Sequence, residues 1–351
     1  MTTPAGLSRL RIGYAPYSAA LDRPGDRRRF AGYARNRCLA FEIADPARVY
    51  DVVVVTENAD ISVWSRYNKG RVVYDLIDSY LAIPRSNLKG RLRGLAKFVA
   101  GQHRRLRLDY WRAIEDMCRN AAAVACTTEE QKRDIGNFCA NVHIILDLHT
   151  TVTHEVKTRY AAGDVFRLAW EGMSATVDSL QLIGNVLREI ERDHAIALDV
   201  VTDPVSFRHL GRYGRRETLE IVRRLCTRVT LHEWNEQTCA GILCGCDAAV
   251  IPLDLRDPFA AGKPENKLLL MWRMGLPVIA SASPAYTRAM DAAGISLVCA
   301  HENEWRHQLE RIVTDASLRA DAGQRGRAYA EANFSEAQLL ARWDTLFATV
   351  I

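Results

Sequence analysis

No apolar run in this sequence is long enough to cross a bilayer. The densest, Val52 to Val55 and Leu276 to Ala280, are strand-sized, far below the roughly 20 residues of a spanning helix. The start, Met1 to Arg9, has no basic stretch leading into an apolar core, which predicts no secretory signal. None of the nine cysteines falls in a CxxC pair, and Cys239, Cys244 and Cys246 have no histidine at ligand spacing. They read as reduced thiols of a cytoplasmic protein, with no metal site. No GxGxxG follows a strand, and GxSxG and HExxH are absent, which argues against a dinucleotide enzyme, a hydrolase triad and a catalytic zinc. Gly262-Lys263 looks like the end of a P-loop, but Asp257 stands where its first glycine should be and Pro264 where its hydroxyl should be. One-sided charge is missing too. Forty-seven basic residues minus forty-two acidic ones leave +5, too little to predict nucleic acid as a partner.

What is present is an ordinary globular composition, 48% hydrophobic over 351 residues, enough for about two domains. Short β-branched runs alternate with helical patterns, and several runs are apolar throughout, as in parallel strands covered on both faces. The first series is 10–14, 51–56, 71–75, 122–126 and 142–146; the second is 165–170, 196–201, 229–232, 248–251, 277–280 and 295–298. Between them, Thr150 to Gly163 loses the pattern and reads as a linker. Three helical segments close the chain, near 302–314, 316–332 and 335–349. The fold class expected is α/β, with two tandem Rossmann-like doubly wound domains over 1–155 and 160–334 and a final helix over 335–351. Ligands of such sheets bind beyond the carboxyl ends of the strands, so a cleft between facing domains is the expected site.

The most informative stretch runs from Ile251 to Ser281. It predicts a strand, a polar loop, a helix starting near Pro264, a stop at Gly275 and a second buried strand. Lys263, Asn266 and Lys267 would stand in or beside the first helical turn. Unpaired N–H groups, the positive helix end and two ammonium groups suit a diphosphate; two merely solvated lysines are the alternative. Lys263-Pro-Glu-Asn-Lys267-Leu-Leu, followed by Gly275-Leu-Pro-Val-Ile-Ala-Ser, resembles the donor-binding segment of nucleotide-sugar glycosyltransferases of the GT-B fold, family 4 in particular. Leu318 to Tyr329 and Ala332-Asn-Phe-Ser335 are similar to that family's C-terminal helices. The likeness covers roughly 245–350, and thins to Leu168-Ala-Trp-Glu-Gly172 and Tyr74-Asp-Leu-Ile-Asp78 elsewhere.

The resemblance implies a nucleotide-diphosphate sugar as co-substrate, no further cofactor and no metal. It also implies retention of anomeric configuration and a last helix that crosses back to the N-terminal domain. Two departures stand out. Gly262 and Leu270 occupy the places of the family's glutamate pair, and no basic pair follows Gly172. Two other readings therefore stay open: a sugar-nucleotide epimerase or hydrolase of the same fold, and a degenerate binding or scaffold subunit.

Around this segment, Gly172 offers close backbone approach to phosphate or is a plain turn glycine. Trp234 could stack on a base and Glu233 or Glu236 accept a hydrogen bond from it, or the indole is simply core. Asp75 and Asp78 end a strand of the first domain, where they would orient or deprotonate an acceptor hydroxyl, or cap the next helix. His149 and His154 read as surface residues. Between Arg85 and Arg112 nine cations face one anion, Asp109, with leucines interleaved at helical spacing. Arg91, Arg93, Lys97, Arg104 and Arg105 would thus meet a carbohydrate or lipid-linked acceptor or an anionic membrane surface, making the protein peripheral at the inner face; a solvated helix face is the bland alternative. A second cationic cluster, Arg23 to Arg37, lies on the same domain.

Overall fold

Runs such as Val52-Val-Val-Val-Thr56 have no polar face to offer water, so they need neighbours on both sides. The computed structural model, which describes residues 6–209 and 213–351, supplies them twice. The chain divides into two units: residues 1–148, 257–264 and 336–351 form the first, and 149–256 with 265–335 the second.

In the first unit the strands are β1 (Ile12–Ala15), β2 (Glu42–Ile43), β3 (Val52–Thr56), β4 (Arg71–Asp75), β5 (Ala123–Cys126) and β6 (Val142–Ile144). They form one parallel sheet in the order β2-β1-β3-β4-β5-β6. Val52 to Val55 are all fully buried. The chain winds one way from β1 to β2 and the other way from β3 onward, so the switch of direction lies between β1 and β3. The closing helix, Glu336–Ala348, belongs to this unit. Its Trp343 and Phe347 are fully buried and stack on Tyr33 at centroid distances of 5.8 and 5.5 Å. Each aromatic so placed stabilises by about 2–3 kcal/mol. The Arg37 guanidinium fixes the helix end through Asp344 at 2.5 Å.

The second unit holds β7 (Phe166–Glu171), β8 (Ile196–Thr202), the antiparallel pair β9 (Val205–His209) and β10 (Tyr213–Glu217), β11 (Val229–Glu233), β12 (Ala248–Ile251), β13 (Val278–Ser281) and β14 (Val298–Cys299). Its main sheet is also parallel, ordered β11-β8-β7-β12-β13-β14, with the direction switching between β7 and β12. The helix Asn266–Arg273 buries Leu268 to Trp272 and stops at Gly275, whose φ of 72° is the left-handed conformation that suits glycine at a helix end.

Three features depart from the sequence expectation. The short β2 and the cation-rich β9–β10 hairpin are strands without an apolar run to announce them. The 150–163 stretch is irregular but anchored: Lys157, 8% exposed, donates from Nζ to the Cys246 carbonyl at 2.7 Å, and the Tyr160 hydroxyl donates to the Gly275 carbonyl at 2.9 Å. Residues 257–264, expected in the second domain, go with the first unit. There Phe259 packs on Tyr80 at 5.2 Å and the Ser79 hydroxyl donates to the Gly262 carbonyl at 2.7 Å.

Candidate functional site

Parallel sheets bind ligands at the carboxyl ends of strands flanking the switch of direction, because loops leaving in opposite directions open a crevice there. In the second unit those strands are β7 and β12. Gly172 directly follows β7, and the chain leaving β12 returns as the helix carrying Asn266 and Lys267. The Lys267 ammonium lies 4.8 Å from the centre of the Trp170 ring. A Cβ added to Gly172 would meet Lys267 Nζ at 2.1 Å. The cation therefore rests on bare backbone at the end of β7, a place that only glycine leaves open.

Around it stand the ends of β8 and β11. The Trp234 indole N–H donates to Glu171 Oε1 at 3.0 Å, and the Trp234 amide donates to the Thr202 carbonyl at 3.2 Å. Glu171 is 6% exposed, whereas Glu233 is exposed. The Thr202 hydroxyl is buried with no hydrogen-bond partner among the described residues. The helix itself begins at Asn266, two residues later than expected, with Glu265 as its N-cap. The Glu265 side chain makes no capping bond to the helix it precedes. Burial raises the buried Tyr286 phenol's pKa, and the negative charges of Glu265 and Glu171 raise it further. Two carboxylates thus lie near the Tyr286 hydroxyl, although neither occupies a position of the expected glutamate pair. Those positions are structural here. Leu270 is core at 1% exposure, and a Cβ on Gly262 would strike Ser79 Oγ at 2.5 Å.

In the first unit the switch lies between β1 and β3, and Glu57 directly follows β3. This residue carried no sequence motif. It is 8% exposed, and its Oε2 accepts the amides of Ile77 at 3.0 Å and Asp78 at 2.8 Å. Burial, then the charge of Asp78, pushes its carboxyl up to about 8. Asp78 in turn pairs with Lys263 at 2.5 Å. Burial alone would lower the lysine's pKa, but Asp78 and Glu57 outweigh it and raise it.

Three expectations are corrected here. Lys263 does not accompany Lys267: it belongs to the first unit, paired with Asp78 and lying 4.7 Å from the Phe259 ring centre. Asp75 is unsuited to act on a substrate. It is 0% exposed and accepts from the Arg29 Nε at 2.8 Å and Nη2 at 2.6 Å. Arg29, also fully buried, donates onward to the Ile145 carbonyl at 2.7 Å, so the pair is a structural tie across the sheet. His149 is buried at 1% exposure and not a surface residue.

For Arg93 and Lys97 the expectation of a surface role is corrected as well. Arg93 turns inward to the Tyr80 hydroxyl at 2.8 Å and Lys97 to the Tyr110 hydroxyl at 3.0 Å. Arg85 pairs with Asp109 and Glu115, Arg107 with Asp116, and Arg112 with Asp109. Arg104 and Arg105 are exposed. The Arg91 side chain lies outside the described residues.

The sequence matches no family model and no curated protein. Solved structures do match. HepE from Anabaena, solved in complex with UDP, is 11% identical with a TM-score of 0.62 over 97% of this chain and 100% of its own. WaaG, a glycosyltransferase involved in lipopolysaccharide biosynthesis, is 14% identical with a TM-score of 0.56 over 95% and 99%. TarM is 11% identical with a TM-score of 0.59 over 84% of this chain, which spans about half (54%) of TarM. Two parallel six-stranded sheets, a C-terminal helix returned to the first unit and these matches establish that the chain has the GT-B glycosyltransferase fold.

Proposed function

We propose that the chain is a glycosyltransferase that moves a sugar from a nucleotide-diphosphate donor to a hydroxyl of a carbohydrate or lipid-linked acceptor. The observation that carries this reading is the Lys267 ammonium resting against the bare backbone of Gly172 at the sheet's switch of direction. A diphosphate placed there meets a cation and the positive end of the Asn266–Arg273 helix. Asn266 stands beside it, and Trp234 and Glu233 border the nucleoside. UDP bound to HepE supports a nucleoside diphosphate as the ligand class.

As the glycosidic bond to the donor breaks, negative charge grows on the leaving diphosphate. Lys267 and the helix N-terminus offset it, the role a metal plays elsewhere. The acceptor is assigned to the first unit, where Asp78, held by Lys263, and Glu57 offer carboxyl groups at the ends of β3 and β4. A carboxyl that titrates near neutrality suits proton exchange with a hydroxyl.

Thermal unfolding with UDP, ADP and GDP tests the donor side. The cognate diphosphate at ~100 times its Kd should stabilise by ~2.7 kcal/mol. Gly262 and Leu270, both structural, favour a second reading in which the donor binds without turnover. Nucleotide-sugar binding with no release of nucleoside diphosphate over a panel of acceptors would select it.

A further inference from the structure

A soluble amphipathic helix ordinarily buries its apolar face and shows its charges to water. The helix Leu88–Val99 does the reverse. Its inner face carries Gly90, Gly94, Arg93 and Lys97. A Cβ on Gly90 would stand 2.4 Å from the Trp111 ring, and one on Gly94 would stand 1.8 Å from the Arg107 carbonyl. These two glycines bring the helix backbone hard against its neighbours. Lys97 is only 6% exposed, and the Arg93 guanidinium lies 4.4 Å from the Tyr80 ring centre. His103, just beyond the helix, is also buried at 3% and stacks on Tyr110.

The apolar side chains are left outside. Leu92 is 53% exposed, Leu95 39%, Phe98 40% and Val99 77%, and beyond the helix Leu106 is 46% and Leu108 70% exposed. At 100° per residue the four helical positions fall within an arc of about 120°. No aspartate or glutamate occurs from 88 to 108. Arg104 and Arg105, exposed, directly precede Leu106 in the chain, their amides pinned to Asp60 at 2.8 Å and Ser62 at 3.1 Å.

We propose that this helix face and the 104–108 segment that follows it together form a bilayer-insertion surface, with Leu92, Leu95, Phe98, Val99, Leu106 and Leu108 at the acyl boundary and Arg104 and Arg105 among anionic headgroup phosphates. The helix has twelve residues, so it lies along the surface and does not cross it. The missing acidic side chains remove repulsion from anionic lipid. A second copy fits less well, since a two-fold contact would set the same arginines against each other. Because Arg85, Arg93, Lys97, Arg107 and Arg112 already have partners within the unit, attachment rests mainly on insertion. It therefore tolerates salt, unlike adsorption of a cationic patch. The surface goes beyond the transfer reading and needs no donor or acceptor.

The test is co-sedimentation of the full chain with vesicles of phosphatidylglycerol and phosphatidylcholine, at about 0.1 M and about 0.5 M salt. The unmodified protein should sediment at both. Phe98→Ser with Val99→Ser should weaken partitioning at least tenfold at both salts, and Leu106→Ser with Leu108→Ser should act similarly, at roughly the scale of the buried methylenes lost. Arg104→Ala with Arg105→Ala should weaken it on the order of tenfold at the lower salt only. All these positions are exposed, so thermal unfolding should be unchanged. No sedimentation of the unmodified protein would overturn the proposal. So would binding that salt abolishes and the serine variants leave intact, or a dimer in solution that those variants dissociate.

Discussion

Lys263 and Asp78 meet at 2.5 Å within the first unit, 185 residues apart in sequence. Four residues further on, Lys267 belongs to the second unit and lies over Trp170. Two lysines that the sequence sets side by side thus have separate surroundings, one against a carboxylate and one over the Trp170 ring beside Gly172.

Lys263→Met should therefore act on stability. Removing one partner of a partly buried pair costs about 1–2 kcal/mol, and Lys263→Met with Asp78→Asn should cost less than the two single changes added together. Urea denaturation measures this. Affinity for a nucleoside diphosphate should stay within about twofold, a change of under ~0.5 kcal/mol.

Gly172→Ala should do the opposite. The new methyl falls on the Lys267 ammonium, the far end of a flexible side chain, so the fold survives while the cation is displaced. Thermal unfolding without ligand should move little. Diphosphate affinity should drop at least about tenfold, ~1.4 kcal/mol.

Glu57 should make stability depend on pH. Its carboxyl keeps its proton in the fold up to about 8, against an ordinary value of 4.5. Between those values the unfolded chain binds fewer protons than the folded one, so stability falls as pH rises through the window. Glu57→Gln removes this contribution while keeping an acceptor for the Ile77 and Asp78 amides. The variant should gain on the unmodified protein steadily from about pH 4.5 to about pH 8 in denaturation experiments.

Arg29→Met leaves the fully buried Asp75 without its partner. A loss of about 3–5 kcal/mol is expected, and Arg29→Met with Asp75→Asn should recover part of it. Calorimetric unfolding reads both.

Much of the fold was legible because parallel strands are apolar on both faces. Val52 to Thr56 and Ala248 to Ile251 stand out on composition alone, whereas β2 spans only Glu42–Ile43 and the β9–β10 hairpin carries three arginines in its ten strand residues. The donor-side segment was legible through Pro264 and Gly275, which mark a helix, but spacing could not tell that the chain changes units at Glu265. Glu57 followed a strand with no motif around it, and only its two amide donors and its burial single it out. Asp75 looked free because its partner, Arg29, is 46 residues away. The helix at 88–99 was legibly amphipathic, but periodicity gives two faces without saying which is inward. The overlooked signal was Gly90 and Gly94, four residues apart on the cationic face, where a backbone can approach its neighbours closely.

Whether Lys267 holds a diphosphate is read by isothermal titration of UDP, ADP and GDP into the unmodified protein and into Lys267→Ala. Saturable binding of one diphosphate, weakened at least about tenfold in the variant with unfolding unchanged, is the predicted result. An equal Kd in the variant, or no binding of any of the three, would contradict a diphosphate seat at Lys267.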